Sequence, residues 1–375
     1  MKFIGIDLHT NKFTCCYRNE NSSADGKGEK WTETFRLDSS GLMAFYQTLC
    51  PETYVLVEAT ISTSYFVGLI EPLVKEVIVA NTNELKQISL ARKNTDKVDA
   101  DILCRVLKMQ VLSGEQTISP VTIPPIEIQE LRGLFTTYQL LKKEIAQNKN
   151  RIHSLLKEKL YGFTQEEIFS QKSRKMIREI EGDRGPEGSM MCRQINILLD
   201  LIETLEVHVE SVKEMIQEQA EPFMREIQIL TSMKGISVFI AIAIIADIIK
   251  VERFKNSKAF TSYLRSAPRV SNSNTSISIR GTNKKGRKLA ATLITQSLNH
   301  VLSASSKLAE WYNRLVEYKK AGLVRTGLRR RVLAEIYQML KKGEYHYGRE
   351  VEKHEAKMGQ YKKFLEKRKN LLKGA

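Results

Sequence analysis

The chain has 375 residues, 42% of them hydrophobic, with a formal net charge of +16 and a pI of about 9.5. That length gives room for two or three domains with substantial cores, and with this apolar share it excludes a tiny scaffold and a disordered chain. The charge is unevenly placed: residues 1–249 carry 29 Lys+Arg against 34 Asp+Glu, residues 250–300 carry 11 against 1, and residues 301–375 carry 19 against 8. Such a back half favours nucleic acid as partner, because each phosphate neutralised releases counterions. A solvated, solubilising surface is the competing reading.

Five cysteines, Cys15, Cys16, Cys50, Cys104 and Cys192, form no CxxC pair. They argue against a zinc ribbon or a disulfide framework and suit a reducing compartment. No basic-then-apolar leader opens the sequence, and the longest apolar run, 238–249, is interrupted by Asp247 and too short to span a bilayer. A cytoplasmic protein with no membrane partner is expected.

Residues 1–118 read as an α/β domain. Phe3, Ile4 and Ile6 make the apolar run of a buried central strand, which ends on Asp7 and the polar turn residues of GIDLHTNK. A carboxylate held at a strand end is well placed to bind Mg²⁺ or orient a phosphate. Residues 13–18 and 30–37 suit two more strands around a polar turn at 21–28, and 41–50 a helix. YVLVEAT supplies a buried strand ending on Glu58, and 77–80 a further strand. In LARKNTDKVDADILCRVL a loop opens into a helix whose first turn holds Asp96 and Asp99 on one face. Four converging carboxylates could hold two divalent ions about 3.5 to 4 Å apart for phosphoryl transfer. Asp96 and Asp99 as simple helix-capping acids is the equal alternative.

Pro120, Pro124 and Pro125 mark a linker. Over 126–221, Leu134, Tyr138, Leu141, Ile145, Asn148, Ile152 and Leu155 fall at steps of four and three, as do Ile195, Leu198, Ile202, Leu205, Val209, Val212 and Ile216. These seams predict a helical coiled-coil hairpin around a flexible tip, GDRGPEGS, with Asn148 setting register or facing solvent. Over 222–310, LTSMKGISVFIAIAIIADI has the outline of a helix-hairpin-helix, for phosphate binding or for packing alone. RFKNSKAFTSYL suits an amphipathic helix. The stretch SAPRVSNSNTSISIRGTNKKGRKLA reads as a polar, basic loop with Ser266, Ser271, Ser273, Ser276 and Ser278, each a turn residue or a nucleophile. Residues 311–375 form a basic helical tail in which Tyr337, Tyr345, Tyr347 and Tyr361 lie among cations, as on surfaces that track nucleic acid, or simply a solvated helix.

The order of these motifs resembles bacterial insertion-sequence transposases with an N-terminal RuvC-like DEDD domain and a C-terminal serine-bearing transposase domain. That group includes Piv-type invertases and bridge-RNA-guided recombinases. The resemblance covers most of residues 1–300: GIDLHTNK sets Asp7 at the family's first acid, LVEAT sets Glu58 at the second, and TDKVDA sets Asp96 and Asp99 at the last two. SMKGIS, Arg253-Phe254 and KKGRKLA are similar in the back half. The family's serine motif is approximately Gly-Leu-x-Pro, three residues, then Ser-Ser-Gly. Here Pro268 matches, Arg265 and Ser266 stand for Gly-Leu, and Asn272, Ser273 and Asn274 fill the serine stretch.

What the resemblance implies is a RuvC/RNase H-like first domain and a mainly α transposase domain after the hairpin. Asp7, Glu58, Asp96 and Asp99 would hold Mg²⁺ (or Mn²⁺), and Ser273, with Ser271 as fallback, would attack DNA. Arg269, Arg280, Lys284, Lys285, Arg287 and Lys288 would contact the DNA backbone. A guide RNA, a dimer or tetramer and a nucleoid-associated location follow as further expectations. Three rivals remain: a metal-dependent nuclease or junction resolvase using the acids alone, a DNA-binding relative without catalysis, and an actin-like ATPase. The ATPase would need a second phosphate loop and a Gly-rich adenosine site, and neither is found in the sequence.

Overall fold

The structure is a computed structural model that describes residues 1–20, 30–81, 95–158, 169–178, 185–273, 276–282 and 286–373. Its contacts divide the chain into two units, Met1–Pro124 and Pro125–Ala375.

In the first unit β1 (Lys2–Leu8), β2 (Lys12–Asn19) and β3 (Lys30–Arg36) form an antiparallel meander, and β4 (Thr53–Glu58) and β5 (Glu76–Ala80) add in parallel on the other side of β1. The order β3-β2-β1-β4-β5 makes β1 the central strand, as its apolar run requires. One face packs Ile4, Ile6, Phe13, Val55 and Val57 under Phe45 of α1 (Ser39–Tyr46) and Phe66 and Ile70 of α2 (Thr63–Ile70). The other packs Phe3, Cys16, Leu56 and Ile78 under Ala100, Leu103, Cys104 and Leu107 of α3 (Asp96–Ser113). Each fully buried side chain of this size contributes about 1.5–3 kcal/mol.

Strand alternation places Gly5 and Asp7 with Phe3, and Glu58 with Leu56, on the face that α3 covers. Gly5 is the device that lets the helix come so close, because a methyl there would overlap the Ala100 carbonyl and the Cys104 amide. The Cys104 thiol in turn donates to the Phe3 carbonyl at 3.3 Å. Thr95 caps α3 by accepting from the Val98 amide at 3.4 Å, and Gly114 ends it at φ +69°. Helix α2 was not expected, since ISTSYFVGLI is rich in β-branched and aromatic residues. Helix α1 begins two residues before the expected Gly41, because Asp38 caps it through the Gly41 amide at 2.8 Å. Of the expected polar turn, 21–28, all lies outside the described residues.

The second unit starts with α4 (Ile126–Glu158), α5 (Gln171–Arg178) and α6 (Gly185–Gln219). Ile145, Ile152 and Leu156 of α4 pack with Ile195, Leu199, Ile202, Leu205 and Val209 of α6. Leu156 and Leu199 take the buried positions expected of their neighbours Leu155 and Leu198, because a helix of 3.6 residues per turn drifts about 20° per heptad. Asn148 is on the seam at 5% exposure, with the Arg151 guanidinium donating to it at 3.4 Å. Arg174 of α5 holds both carboxylate oxygens of Glu206, at 2.9 and 2.8 Å. The expected flexible tip is corrected in part: residues 185–189 open α6, with Pro186 in the first turn where a missing N–H costs nothing, while 182–184 lie outside the described residues.

After α7 (Met224–Thr231) the chain turns at Gly235, φ +91°, into α8 (Val238–Ile248), matching the expected pair. Helix α9 (Ser257–Tyr263) starts at the Asn256 cap, whose side chain accepts from the Ala259 amide at 2.9 Å. The serine-rich stretch read as a loop is instead a hairpin of β6 (Pro268–Ser273) and β7 (Ser276–Thr282). Its β-branched residues, Val270, Ile277 and Ile279, were masked by the surrounding Ser and Asn. Then follow α10 (Leu289–Leu302), α11 (Ser306–Val316), α12 (Ala321–Lys342) and α13 (Val351–Lys373). Leu328, Val332, Leu333 and Ile336 of α12 and Met358, Tyr361 and Leu365 of α13 share one core with Ile242, Ile244 and Ile245 of α8. Tyr337 and Tyr361 are therefore buried in packing rather than spread over a surface, whereas Tyr345 and Tyr347 are exposed. Among the described residues no helix is long and apolar enough to cross a membrane.

Candidate active site

Three elements deliver carboxylates to the α3 face of the sheet. Asp7 is the penultimate residue of β1, at 6% exposure, Glu58 ends β4 half-buried one step beyond the Ile6–Val57 pair, and Asp96 and Asp99 occupy the first turn of α3. His9 Nε2 stands 3.0 Å from Asp7 Oδ2 and 3.3 Å from Asp96 Oδ1. Lys12 Nζ donates to Asp96 Oδ2 at 2.7 Å. The tight β1–β2 turn, closed by the His9 amide donating to the Lys12 carbonyl at 3.0 Å, holds the His9 imidazole and the Lys12 ammonium near the acids.

The electrostatics follow from that crowding. Burial pushes the Asp7 carboxyl above its ordinary range; His9 opposes the shift, and the charges of Asp96, Asp99 and Glu58 add to it. The Lys12 hydrogen bond holds Asp96 below its ordinary range. Donor atoms of Asp7, His9 and Asp96 lie within 4.8 Å of one another, the one such trio among the described residues. Glu58 and Asp99 stand outside it, although their charges reach Asp7. Carboxylate oxygens with mutual repulsion to relieve, opening to solvent through half-exposed His9 and Asp96, suit a divalent cation. His9 and Lys12 were missed from sequence although both stand in GIDLHTNK. The signal was a second and a fifth residue beyond the acid in a turn too short to carry them away.

The hairpin of the second unit is held at its base. Arg265 takes φ +52° and its Nε donates to the Gly286 carbonyl at 2.7 Å, while Gly286 takes φ +102° in a spot where a methyl would strike the Tyr263 carbonyl. Arg329 of α12 then donates to Ser266 Oγ, Thr295 Oγ1 and the Arg265 carbonyl at 2.9, 3.0 and 3.1 Å. Ser266, 1% exposed and donating to the Leu264 carbonyl, is thereby a structural serine. Ser273 ends β6 paired with Ser276, and Ser271 pairs with Ser278. Arg269 and Arg280 lie on the two strands, and Lys284 and Lys285 lie outside the described residues.

Arg287 and Lys288 part company. Arg287 Nε donates to Asp247 Oδ1 at 2.9 Å, and the same fully buried carboxylate accepts from the Ala290 amide at 2.9 Å. An anion at the start of α10 is favoured by the helix dipole, so Asp247 ties α8, Arg287 and α10 together. Arg132 of α4 adds hydrogen bonds to the Ala246 and Asp247 carbonyls at 2.7 and 3.1 Å. Arg287 is thus engaged within the protein, whereas Lys288 is exposed at the cap position of α10.

No curated protein matches the chain. A transposase family model of the IS110 DEDD type matches residues 4–160, the segment that contains Asp7, His9, Glu58, Asp96 and Asp99. A second, described as transposase of the IS116/IS110/IS902 family, matches residues 227–313, which contain the hairpin with Arg265, Ser266 and Gly286 but not Arg329. The two matches name one insertion-sequence group and together cover most of the sequence, and the chain belongs to the IS110/IS116/IS902 family of DNA transposases.

Proposed function

We propose that this transposase cleaves and rejoins DNA through a serine–phosphate intermediate, with Mg²⁺ or Mn²⁺ held by Asp7, Glu58, Asp96 and Asp99. The observation that carries the reading is Asp7, buried at a strand end, within ligand distance of the Asp96 group and under the charge of Glu58 and Asp99. A divalent cation bound there supplies charge stabilisation on the phosphoryl oxygens. The rigid β1 end and the capped α3 start hold the acids ready. Ser273 Oγ loses its proton and forms the O–P bond as the bond to one strand oxygen breaks, and that oxygen takes up a proton. Return attack by a strand hydroxyl restores the phosphodiester and the serine. Arg269, Arg280, Lys284, Lys285 and Lys288 contact phosphates, and Arg287 positions α10.

The strand order, three antiparallel then two parallel, supports a RuvC-like first domain. The pairing of α4 with α6 supports a coiled-coil hairpin, and Ile197 and Val207, each 66% exposed on α6, support its completion in a dimer or tetramer. The basic 250–300 stretch suits DNA together with a guide RNA. The test is a Mg²⁺-dependent cleavage assay that also detects covalent protein–DNA adduct. Ser273→Ala is expected to lose adduct and strand exchange while retaining DNA binding, and Asp7→Asn to lose at least about a hundredfold in cleavage. Cleavage that persists without adduct in Ser273→Ala would instead establish a nuclease using the acids alone.

A further inference from the structure

The acids do not meet alone: an imidazole nitrogen faces two of them. Two ligand atoms at right angles, each about 2.1 Å from an ion, stand about 3.0 Å apart. His9 Nε2 lies 3.0 Å from Asp7 Oδ2 and 3.3 Å from Asp96 Oδ1, so the nitrogen already stands at nearly that spacing from an oxygen of each acid, and donor atoms of all three groups lie within 4.8 Å of one another. His9 is also fixed. Its amide closes the turn onto the Lys12 carbonyl at 3.0 Å, and Lys12 holds the other oxygen of Asp96 at 2.7 Å, leaving Oδ1 to face the imidazole.

Resting on the cation site proposed above, we infer that His9 Nε2 is an inner-sphere ligand of that site, alongside Asp7 and Asp96. In that role the imidazole is neutral, with its proton on Nδ1, and its Nε2 lone pair points between the two carboxylates. The chemistry selects among cations. Mg²⁺ takes oxygen ligands and keeps its waters, whereas first-row transition ions accept imidazole nitrogen readily. A mixed imidazole–carboxylate face therefore raises affinity for Mn²⁺ over Mg²⁺ relative to an all-carboxylate site.

The test uses Mn²⁺ as probe on the full chain, read by electron spin-echo modulation and by calorimetric binding, with circular dichroism to show that each variant is folded. Wild type is expected to show ¹⁴N modulation from one coordinated imidazole. His9→Gln is expected to lose that modulation, to bind Mn²⁺ roughly tenfold or more weakly, and to narrow the Mn²⁺-over-Mg²⁺ preference. Mn²⁺ binding that depends on Asp7 but shows no ¹⁴N modulation in wild type, or modulation that survives in His9→Gln, overturns the role of His9 and leaves the carboxylate site standing. Mn²⁺ binding that is absent, or unchanged in Asp7→Asn, overturns both.

Discussion

The two candidate catalytic regions are held in place by different means. In the first unit the acids follow from regular structure: strand alternation sets Asp7 and Glu58 on the α3 face, and Gly5 allows the first turn of α3 to reach them. In the second, the hairpin bearing Ser271 and Ser273 is held by side chains distant in sequence, Arg329 at its base and Asp247 beneath the segment that follows it. The first is an arrangement of backbone periods and close packing, the second of polar clamps. Each should therefore fail in its own way when perturbed.

Gly5→Ala should do the most damage. The added methyl forces α3 off β1, at a cost of about 1–3 kcal/mol or more from overpacking. It should separate Asp96 from Asp7, so chemical denaturation should show the first unit destabilised and calorimetry should show weakened Mn²⁺ binding. Arg329→Met comes next. Losing three hydrogen bonds at the hairpin base should cost about 1–3 kcal/mol in the second unit and reduce strand exchange, with Mn²⁺ affinity unchanged. A variant that instead altered cation binding would erase the distinction drawn between the two regions.

The smallest effect concerns His354, which stands in the core of the second unit with Nε2 3.2 Å from Thr231 Oγ1. Burial, and after it the Arg349 charge, lowers its pKa below the usual 6.5. A histidine kept neutral by the fold adds stability that is complete above the unfolded value and is lost as pH falls through the folded one. Between pH about 7 and 5 the wild-type melting temperature should therefore drop more than that of His354→Gln, a difference that thermal scans would read directly.

The same contrast explains what the sequence could disclose. Asp7, Glu58 and the α3 start were legible because an apolar run ending on an acid has one sensible placement in a sheet, and TDKVDA carries its own cap, Thr95. His9 and Lys12 were not, since nothing in GIDLHTNK says that the turn bends both back onto Asp96, a residue 84 positions from Lys12. The hairpin was read as a loop because serine and asparagine outnumber its β-branched residues, and its strands are recognisable only as a paired unit. The clamp was beyond any local pattern: Arg329 and Ser266 are 63 residues apart, and Asp247 and Arg287 are 40. Arg287 illustrates the consequence, a cation counted toward DNA by composition and engaged by a buried carboxylate in the fold.

The central claim is that these acids form a divalent-cation site. Anomalous diffraction from crystals grown with Mn²⁺ tests it most directly: the account requires an ion within bonding distance of carboxylate oxygens of both Asp7 and Asp96. Saturating Mn²⁺ that left this face of the sheet empty, with those two side chains still bridged by His9, would contradict it.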